Sequence, residues 1–297
     1  MWQNLKEKCL SGDFKSLARC ISLVENEVEG YMSFLENLSE SDNTTIIGIT
    51  GPPGAGKSTL TDGLISELLS KEKKVAVVCV DPSSPFNFGA ILGDRIRMSE
   101  WYNNKNVFIR SLASRGALGG LNFKIIEITS ILKSAGFDYI ILETVGVGQS
   151  EVEIAGIADQ TIVVLVPESG DEIQNMKAGL MEIADVFVVN KSDRPGTDTF
   201  IKNLKLMLAT SNNPETRQIP VVSVIASQKK GLDILTNMIL NPTSFSKKQE
   251  RKTMLLVEKA YQIIQQKRMK NVDKEKLYIE IKQNENTNIF KFASNYY

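Results

Sequence analysis

One nine-residue segment constrains this chain more than any other feature. Residues 51–59 read Gly-Pro-Pro-Gly-Ala-Gly-Lys-Ser-Thr and match the pattern G-x-x-x-x-G-K-[ST]. The segment follows the apolar run Ile46–Thr50 and precedes an amphipathic stretch that begins at Lys57, so it predicts a loop between a strand and a helix. Glycines let such a loop wrap an anion with backbone N–H groups, and the helix adds the positive end of its dipole. We therefore expect this phosphate loop to bind a nucleoside triphosphate.

The side chains at the end of the loop have separate expected roles. Lys57 supplies a point charge that bridges the β- and γ-phosphates, and the hydroxyl of Ser58 ligates the Mg²⁺ held between them. The candidate phosphate-binding residues are Gly51, Gly54, Ala55, Gly56, Lys57, Ser58 and Thr59.

Short apolar runs alternate with helical patterns through the middle of the chain. The predicted strands are Thr45–Thr50, Val75–Val80, Val107–Arg110, Tyr139–Glu143, Thr161–Pro167, Val186–Asn190 and Val221–Ile225. Strands that are apolar throughout belong in a sheet covered on both faces, and long crossovers make neighbouring strands parallel. The sequence predicts an α/β fold with a doubly wound, mostly parallel sheet whose ligands bind beyond the carboxyl ends of the strands.

Helical patterns flank this predicted domain at both ends. Asp13–Leu38 has apolar residues at helical spacing, and a similar pattern resumes in Arg251–Met269 after the break at Asn241–Ser246. We expect an N-terminal helical extension at 1–43, a phosphate-loop domain at 44–242 and a C-terminal helical extension at 243–297.

A second motif addresses the choice of base. Asn190, Lys191 and Asp193 form the pattern N-K-x-D directly after a predicted strand. The Asp193 carboxylate can accept from the ring N–H and the exocyclic amine of guanine, and two such bonds favour GTP over ATP by about a few hundred-fold. A backbone N–H at Ala226 or Ser227 is a candidate for the guanine carbonyl, although small residues suit any strand-to-helix loop equally well.

Residues at or after other predicted strand ends are candidates for the metal and for catalysis. Glu143 ends one strand and is the acid expected near Mg²⁺, and the N–H of Gly146 is expected to contact the γ-phosphate. Asp81 and Asp94 follow another strand; either can bind the metal, cap a helix or form a surface ion pair. In Ras-like switches a glutamine directly follows the glycine, whereas here Gln149 lies three positions later, which predicts slow intrinsic hydrolysis. The candidate catalytic residues are Lys57, Asp94, Glu143, Gly146 and Gln149, and the candidate metal residues are Ser58, Asp81, Asp94 and Glu143.

The composition of the 297-residue chain excludes several kinds of site. It has no histidine, which excludes a Ser-His-Asp triad and His-ligated metals. Its three cysteines form no C-x-x-C pair, so neither a zinc site nor a disulfide framework is expected. The 35 basic and 35 acidic residues cancel, and no apolar run approaches the ~18 residues of a membrane span. We expect a cytoplasmic protein that binds neither nucleic acid nor membrane.

Together these motifs resemble the MeaB/ArgK/MMAA family of GTPases, which chaperone adenosylcobalamin-dependent acyl-CoA mutases such as methylmalonyl-CoA mutase. The matching segments are Gly51–Thr59, Asp81-Pro-Ser-Ser-Pro, Gly-Ala-Ile-Leu-Gly-Asp94-Arg-Ile-Arg-Met98, Arg115-Gly-Ala-Leu-Gly-Gly120, Glu143-Thr-Val-Gly-Val-Gly-Gln-Ser-Glu151, Gly170-Asp-Glu-Ile-Gln174 and Asn190-Lys-Ser-Asp193. The resemblance spans most of the chain.

The resemblance implies a homodimer in which GTP binding and hydrolysis gate cofactor loading and protect the mutase. It places Asp81 and Asp94 in a nucleotide-sensitive switch. It also implies a mobile loop, Gly170–Lys177, that senses the partner enzyme. The implied partner-sensing residues are Asp171, Glu172, Gln174 and Lys177.

Two alternatives stay open beside this hypothesis. A transport-associated ATPase or kinase would share the phosphate loop, although Asp193 argues against it through base choice. A GTPase metallochaperone for nickel enzymes belongs to another class, and the absence of histidine and of paired cysteines argues against it.

Overall fold

Seven strands form one sheet, and all of its strand pairs in the described part of the chain are parallel. The strands are β1 (Thr45–Thr50), β2 (Val75–Asp81), β3 (Val107–Ala113), β4 (Tyr139–Glu143), β5 (Gln160–Leu165), β6 (Val186–Val189) and β7 (Val221–Ser223). Their order is β3-β2-β4-β1-β5-β6-β7. Because β2 to β4 lie on one side of β1 and β5 to β7 on the other, the predicted doubly wound α/β fold is confirmed.

In this computed structural model the chain forms two compact units, Met1–Ser244 and Phe245–Tyr297. The described residues are 1–81, 98–113, 124–144, 154, 156–168, 181, 183–214, 216–241, 272–283, 288–296 and part of 253–269. Asp94, Gly146, Gln149 and Gly170–Lys177 lie outside them, so the predictions made there stay predictions. The predicted domain boundaries at 43/44 and 242/243 also stay predictions.

Helices cover the sheet and form the described part of the second unit. The first unit contains α1 (Trp2–Leu10), α2 (Phe14–Glu25), α3 (Tyr31–Glu36), α4 (Lys57–Ser70), α5 (Ile125–Ser134), α6 (Thr197–Ala209) and α7 (Leu232–Leu240), and the second contains α8 (Lys274–Gln283) and α9 (Ile289–Ala293). The described residues between 253 and 268 are also helical. Glu27 and Gly30, between α2 and α3, have φ values of +51° and +87°, so the predicted helical region Asp13–Leu38 is divided into two helices.

The alternation of side chains along the strands divides the core into layers. In β2, Val75, Val77 and Cys79 pack with α4 and α7 residues on one face of the sheet. Ala76 and Val78 point to the other face, where the N-terminal helices and α5 pack. A smaller cluster lies between β5, β6 and α6. Both faces of the sheet are therefore buried, as its uninterrupted apolar strands predict.

Three aspartates tie strands together at the amino-terminal edge of the sheet. Asp159, directly before β5, accepts a hydrogen bond from Ile46 N at 2.8 Å. Asp185, before β6, accepts from Thr161 N at 2.7 Å, and Asp138, before β4, accepts from Lys74 N at 2.8 Å. Each carboxylate satisfies an N–H at the start of a neighbouring strand. These contacts lie at the opposite edge of the sheet from the carboxyl ends of the strands, where the functional site is expected.

Two of the three cysteines meet in the N-terminal helical layer. Cys9 of α1 and Cys20 of α2 are buried free thiols in the same cluster. Their mutual hydrogen bond, together with burial, raises the pKa of the Cys9 thiol. None of the helices in the described ranges has the length and apolar character that crossing a bilayer requires.

Candidate nucleotide-binding site

The phosphate loop joins β1 to α4 and depends on glycine at three positions. Gly51, Gly54 and Gly56 have φ values of +136°, +77° and +87°. A Cβ at Gly51 would overlap the backbone carbonyl of Val164, and one at Gly56 would overlap the side-chain amide of Asn190. The loop backbone therefore approaches β5 and the segment after β6 more closely than any side chain at these positions would allow.

Lys57 is the first residue of α4 and is almost fully buried. Its Nζ donates to the carbonyl oxygens of Gly51 at 2.8 Å and Pro52 at 3.0 Å. The side chain thus runs back from the end of the phosphate loop to its beginning. The ammonium group and the N-terminal end of α4 give this loop a positive potential that suits phosphate.

A buried carboxylate lies at the carboxyl end of β4. Glu143 is 3% exposed, and each of its oxygens lies at hydrogen-bonding distance from a hydroxyl of α4. Ser58 Oγ donates to Oε1 at 2.6 Å, and Thr61 Oγ1 donates to Oε2 at 2.8 Å. Serine and glutamate were predicted to share the metal site, and the fold brings these two side chains together.

The strand ends behind this carboxylate are joined by a second pair of hydroxyls. Thr144 Oγ1, directly after β4, donates to Thr50 Oγ1 at the end of β1 at 3.1 Å, and Thr144 N donates to Ile49 O at 3.1 Å. Both threonines are buried. The contact fixes the ends of β1 and β4 relative to each other, and so fixes the phosphate loop relative to Glu143.

The position of Asp81 follows from strand register. Cys79 of β2 pairs with Glu143 of β4, and Asp81 ends β2 two residues later, paired with Ala113 of β3. Asp81 therefore lies beyond the row of Glu143 by about 7 Å along the strand direction. The backbone at Asp81 is at the expected edge of the sheet, and its role at a metal stays a prediction.

The segment after β6 contacts the phosphate loop directly. The Asn190 side chain donates from Nδ2 to Ala55 O at 2.9 Å and accepts at Oδ1 from Ala226 N at 3.0 Å. Lys191 donates from Nζ to Gly54 O at 2.8 Å. Asn190, 2% exposed, thus connects three loops that lie far apart in sequence. The motif alone did not predict this bridging role of Asn190.

The residues predicted to contact the base lie around this bridge. Asp193 and Ser227 are exposed, whereas Ala226 is buried and its N–H is the one that Asn190 accepts. Arg194 donates to the Glu168 carboxylate after β5, and this hydrogen bond lowers the pKa of that exposed carboxyl. Asp193 is therefore an exposed acid on a loop that the buried hydrogen bonds of Asn190 hold in place.

The structure also identifies residues that the sequence motifs missed. Thr61, Thr50 and Thr144 were not predicted, although all three are buried at the site. Thr61 follows Ser58 by three positions, so the two hydroxyls lie on one face of α4, and that spacing is a signal in the sequence. Thr50 and Thr144 are 94 residues apart, and only the strand pairing brings them together.

Comparisons with known proteins agree with this geometry. The sequence profile of the family described as methylmalonyl Co-A mutase-associated GTPase MeaB matches residues 17–284. A Pyrococcus abyssi protein named as a GTPase is 44% identical over 256 residues, which cover 84% of this chain and 79% of that protein. A fused isobutyryl-CoA mutase of Geobacillus kaustophilus is 35% identical over 236 residues, covering 75% of this chain and 22% of that protein.

The crystal structure of a protein named LAO/AO transport system kinase has the same architecture. It matches with a TM-score of 0.70 and 26% identity over 99% of this chain and 95% of that one. The family profile spans the phosphate loop, Glu143 and the N-K-x-D segment alike. The chain therefore belongs to the MeaB family of methylmalonyl-CoA mutase-associated GTPases.

Proposed function

We propose that this GTPase depends on Mg²⁺ and acts as a chaperone of an adenosylcobalamin-dependent acyl-CoA mutase. The observation that carries the proposal is the relative named as a fused isobutyryl-CoA mutase, of which the matched region is only 22%. A region like this chain and a mutase region would share that polypeptide. In this chain the mutase would be a separate partner, whose cofactor loading and protection are gated by GTP binding and hydrolysis.

The phosphates of GTP would bind at the loop between β1 and α4. Lys57 would exchange its contacts to the Gly51 and Pro52 carbonyls for the β- and γ-phosphates, since its ammonium group already lies against the backbone of the loop. Backbone N–H groups of Gly54 to Thr59 would add neutral donors. In the transition state these fixed donors stabilise the charge that develops on the γ-phosphate oxygens.

The donor set at the end of β4 fits Mg²⁺. Ser58 and Glu143 offer oxygen atoms only, and the chain has no histidine. Within the described ranges no three Asp, Glu, Cys or His side chains cluster as a metal site. That suits an ion held by one or two protein ligands together with phosphates and water. Bound Mg²⁺ would neutralise the charge of the β- and γ-phosphates, and Asp81 and Asp94 are its further proposed ligands.

Base selection would belong to the loop after β6. Asp193 is the proposed acceptor for the two guanine donors, with Lys191 beside it. The backbone N–H of Ser227 is the further proposed contact, because the N–H of Ala226, the other candidate, already donates to Asn190. Asn190 would hold this loop against the phosphate loop through its buried bonds to Ala55 and Ala226. The exposure of Asp193 leaves its carboxylate available to a ligand.

Partner binding would complete the hydrolytic site. Gln149 does not directly follow Gly146, so slow hydrolysis alone and faster hydrolysis in the complex are expected. The proposed mutase-sensing residues are Asp171, Glu172, Gln174 and Lys177. Homodimerisation through the C-terminal helices is also proposed, since several apolar side chains there are more than half exposed, among them Leu256, Val257, Tyr261 and Ile264.

The test is a nucleotide hydrolysis assay of the purified protein, alone and with an adenosylcobalamin-dependent acyl-CoA mutase. We expect a slow basal rate with GTP, little with ATP, and a severalfold increase with the mutase. Asp193→Ala should remove the preference for GTP. Asp198 is an exposed acid in the first turn of α6, and the control variant Asp198→Ala should keep the preference.

Two results would contradict the proposal. Hydrolysis of ATP at the rate of GTP would favour the kinase or ATPase alternative, which is the activity that the similar crystal structure is named for. An unchanged GTPase rate and no complex with the mutase would remove the chaperone role while leaving the GTPase assignment in place.

A further inference from the structure

We propose that Thr61 is a positioning residue for GTP hydrolysis, which holds the Glu143 carboxylate in the orientation that the Ser58 hydroxyl requires to ligate Mg²⁺. The inference rests on the Mg²⁺ site of the proposed function and adds a residue outside the phosphate-loop motif. Thr61 is 0% exposed and lies in the first two turns of α4.

The carboxylate is held at both of its oxygens. Ser58 Oγ lies 2.6 Å from Oε1, and Thr61 Oγ1 lies 2.8 Å from Oε2. Ser58 and Thr61 are three residues apart, so their side chains project from the same face of the helix toward the end of β4. One helix thus supplies a donor to each oxygen, and the two bonds together restrain the plane of the carboxyl group.

The position of the Thr61 hydrogen follows from the acceptors around it. Thr61 Oγ1 also lies 3.0 Å from Lys57 O, the carbonyl one helical turn earlier. A hydroxyl has a single hydrogen, and a carboxylate can only accept. The closer acceptor is Glu143, and a hydrogen bond to a charged oxygen is the stronger one. The hydrogen of Thr61 therefore belongs to the bond with Glu143.

The consequence for the metal follows from the hydroxyl of Ser58. To ligate a cation, Ser58 must turn a lone pair toward it while its hydrogen stays on an acceptor, here Oε1 of Glu143. The last torsion of a glutamate side chain is soft, so a carboxylate that loses the Thr61 bond at Oε2 can rotate more freely and draw that hydrogen away. Groups that orient a metal ligand in this way change metal affinity by about 10- to 100-fold when they are removed.

The variant Thr61→Val tests this role because valine keeps the shape of threonine and lacks the hydroxyl. The measurement is the Mg²⁺ concentration at which the Mg²⁺-dependent increase in affinity for a fluorescent GDP analogue is half-maximal. The rate of GTP hydrolysis is then measured over the same Mg²⁺ concentrations. We expect that concentration to rise by about tenfold in Thr61→Val, with the affinity for the analogue in EDTA unchanged. Thr61→Ser, which restores the hydroxyl, should return the value close to that of the wild type.

Thr236→Val is the matched control. Thr236 of α7 is also 0% exposed, and its hydroxyl has no hydrogen-bond partner in the described part of the chain. This variant should leave the Mg²⁺ titration unchanged, so a general effect of replacing a buried threonine would be recognised. If Thr61→Val does not fold, Thr61→Ala compared with Thr61→Ser decides the same question.

The outcomes separate this proposal from the one on which it rests. A wild-type protein that needs Mg²⁺ and a Thr61→Val variant with the same half-maximal concentration would overturn the role of Thr61 alone. A wild-type protein whose nucleotide binding and hydrolysis are indifferent to Mg²⁺ would overturn the metal site itself and the role of Thr61 with it.

Discussion

Gly51 and Gly54 both have positive φ values in the phosphate loop, but their surroundings differ. At Gly51, φ is +136° and a Cβ would overlap the Val164 carbonyl, whereas at Gly54, φ is +77° and nothing lies within 4 Å of a Cβ. Gly51→Ala should destabilise the protein by more than about 2 kcal/mol, because strain and overlap add. Gly54→Ala should cost only about 1 kcal/mol, from the left-handed conformation alone. Urea unfolding of both variants measures the difference.

Gly54→Ala serves as the control for Gly51→Ala, since both place the same methyl group on the same loop. Equal unfolding midpoints would contradict the role of Val164 and reduce both effects to backbone strain. A larger loss in Gly51→Ala would mean that the first glycine of the pattern is required for folding, whereas Gly54 occupies one of the variable positions between Gly51 and Gly56.

Side-chain hydrogen bonds join neighbouring strands at the amino-terminal edge of the sheet. Asp159 before β5 accepts from Ile46 N at the start of β1, the strand that leads into the phosphate loop. Asp159→Ala should lower the free energy of unfolding by about 2 kcal/mol, because it removes a charged acceptor from a strand N–H. Chemical denaturation measures the change. GTP affinity of the folded protein should stay the same, since the site lies at the opposite edge of the sheet.

Two variants bracket this prediction. Asp159→Asn keeps a side-chain oxygen that can accept from Ile46 N and should lose less stability than the alanine variant. Asp42 is an exposed acid shortly before β1, and Asp42→Ala should leave the free energy of unfolding unchanged. If Asp42→Ala and Asp159→Ala were equally destabilising, the cause would be lost negative charge near β1 and not the hydrogen bond.

Sequence patterns predicted the elements better than their ends. The seven strands were predicted because each is an apolar run bounded by polar or turn residues, and the structure places a strand at every one. The strand predicted as Val221–Ile225 is shorter, Val221–Ser223, because Ile225 turns to pair with Lys230 in an antiparallel bridge. Such a bridge depends on contacts within a loop, and hydrophobic periodicity carries no information about it.

The candidate site could be predicted where a motif encodes one loop and could not where two loops meet. Gly51 to Ser58 and Asn190 to Asp193 are recognisable because their spacing is local. The bond from Asn190 to Ala226, and that from Thr144 to Thr50, join residues 36 and 94 positions apart. Only the parallel order of the strands brings those side chains to one edge, so they follow from the fold and not from a motif.

The division of the chain into two units leads to a prediction for the whole molecule. Every described residue of the site lies in Met1–Ser244, while exposed apolar side chains are concentrated in the second unit, Phe245–Tyr297. A chain ending at Ser244 should therefore bind a fluorescent GDP analogue as tightly as the full chain does, but should be monomeric. Light scattering coupled to gel filtration, at matched concentrations, measures the mass of both chains.

Full-length Lys57→Ala gives the opposite combination and completes the comparison. Lys57 is buried in the phosphate loop, far along the chain from the second unit, so this variant should keep the mass of a dimer while its affinity for the analogue falls. A truncated chain that is still dimeric would move the dimer contacts into the first unit. A truncated chain that folds but does not bind the analogue would mean that residues after Ser244 contribute to the nucleotide site, because the phosphate loop, Glu143 and the segment Asn190–Asp193 are all retained in it.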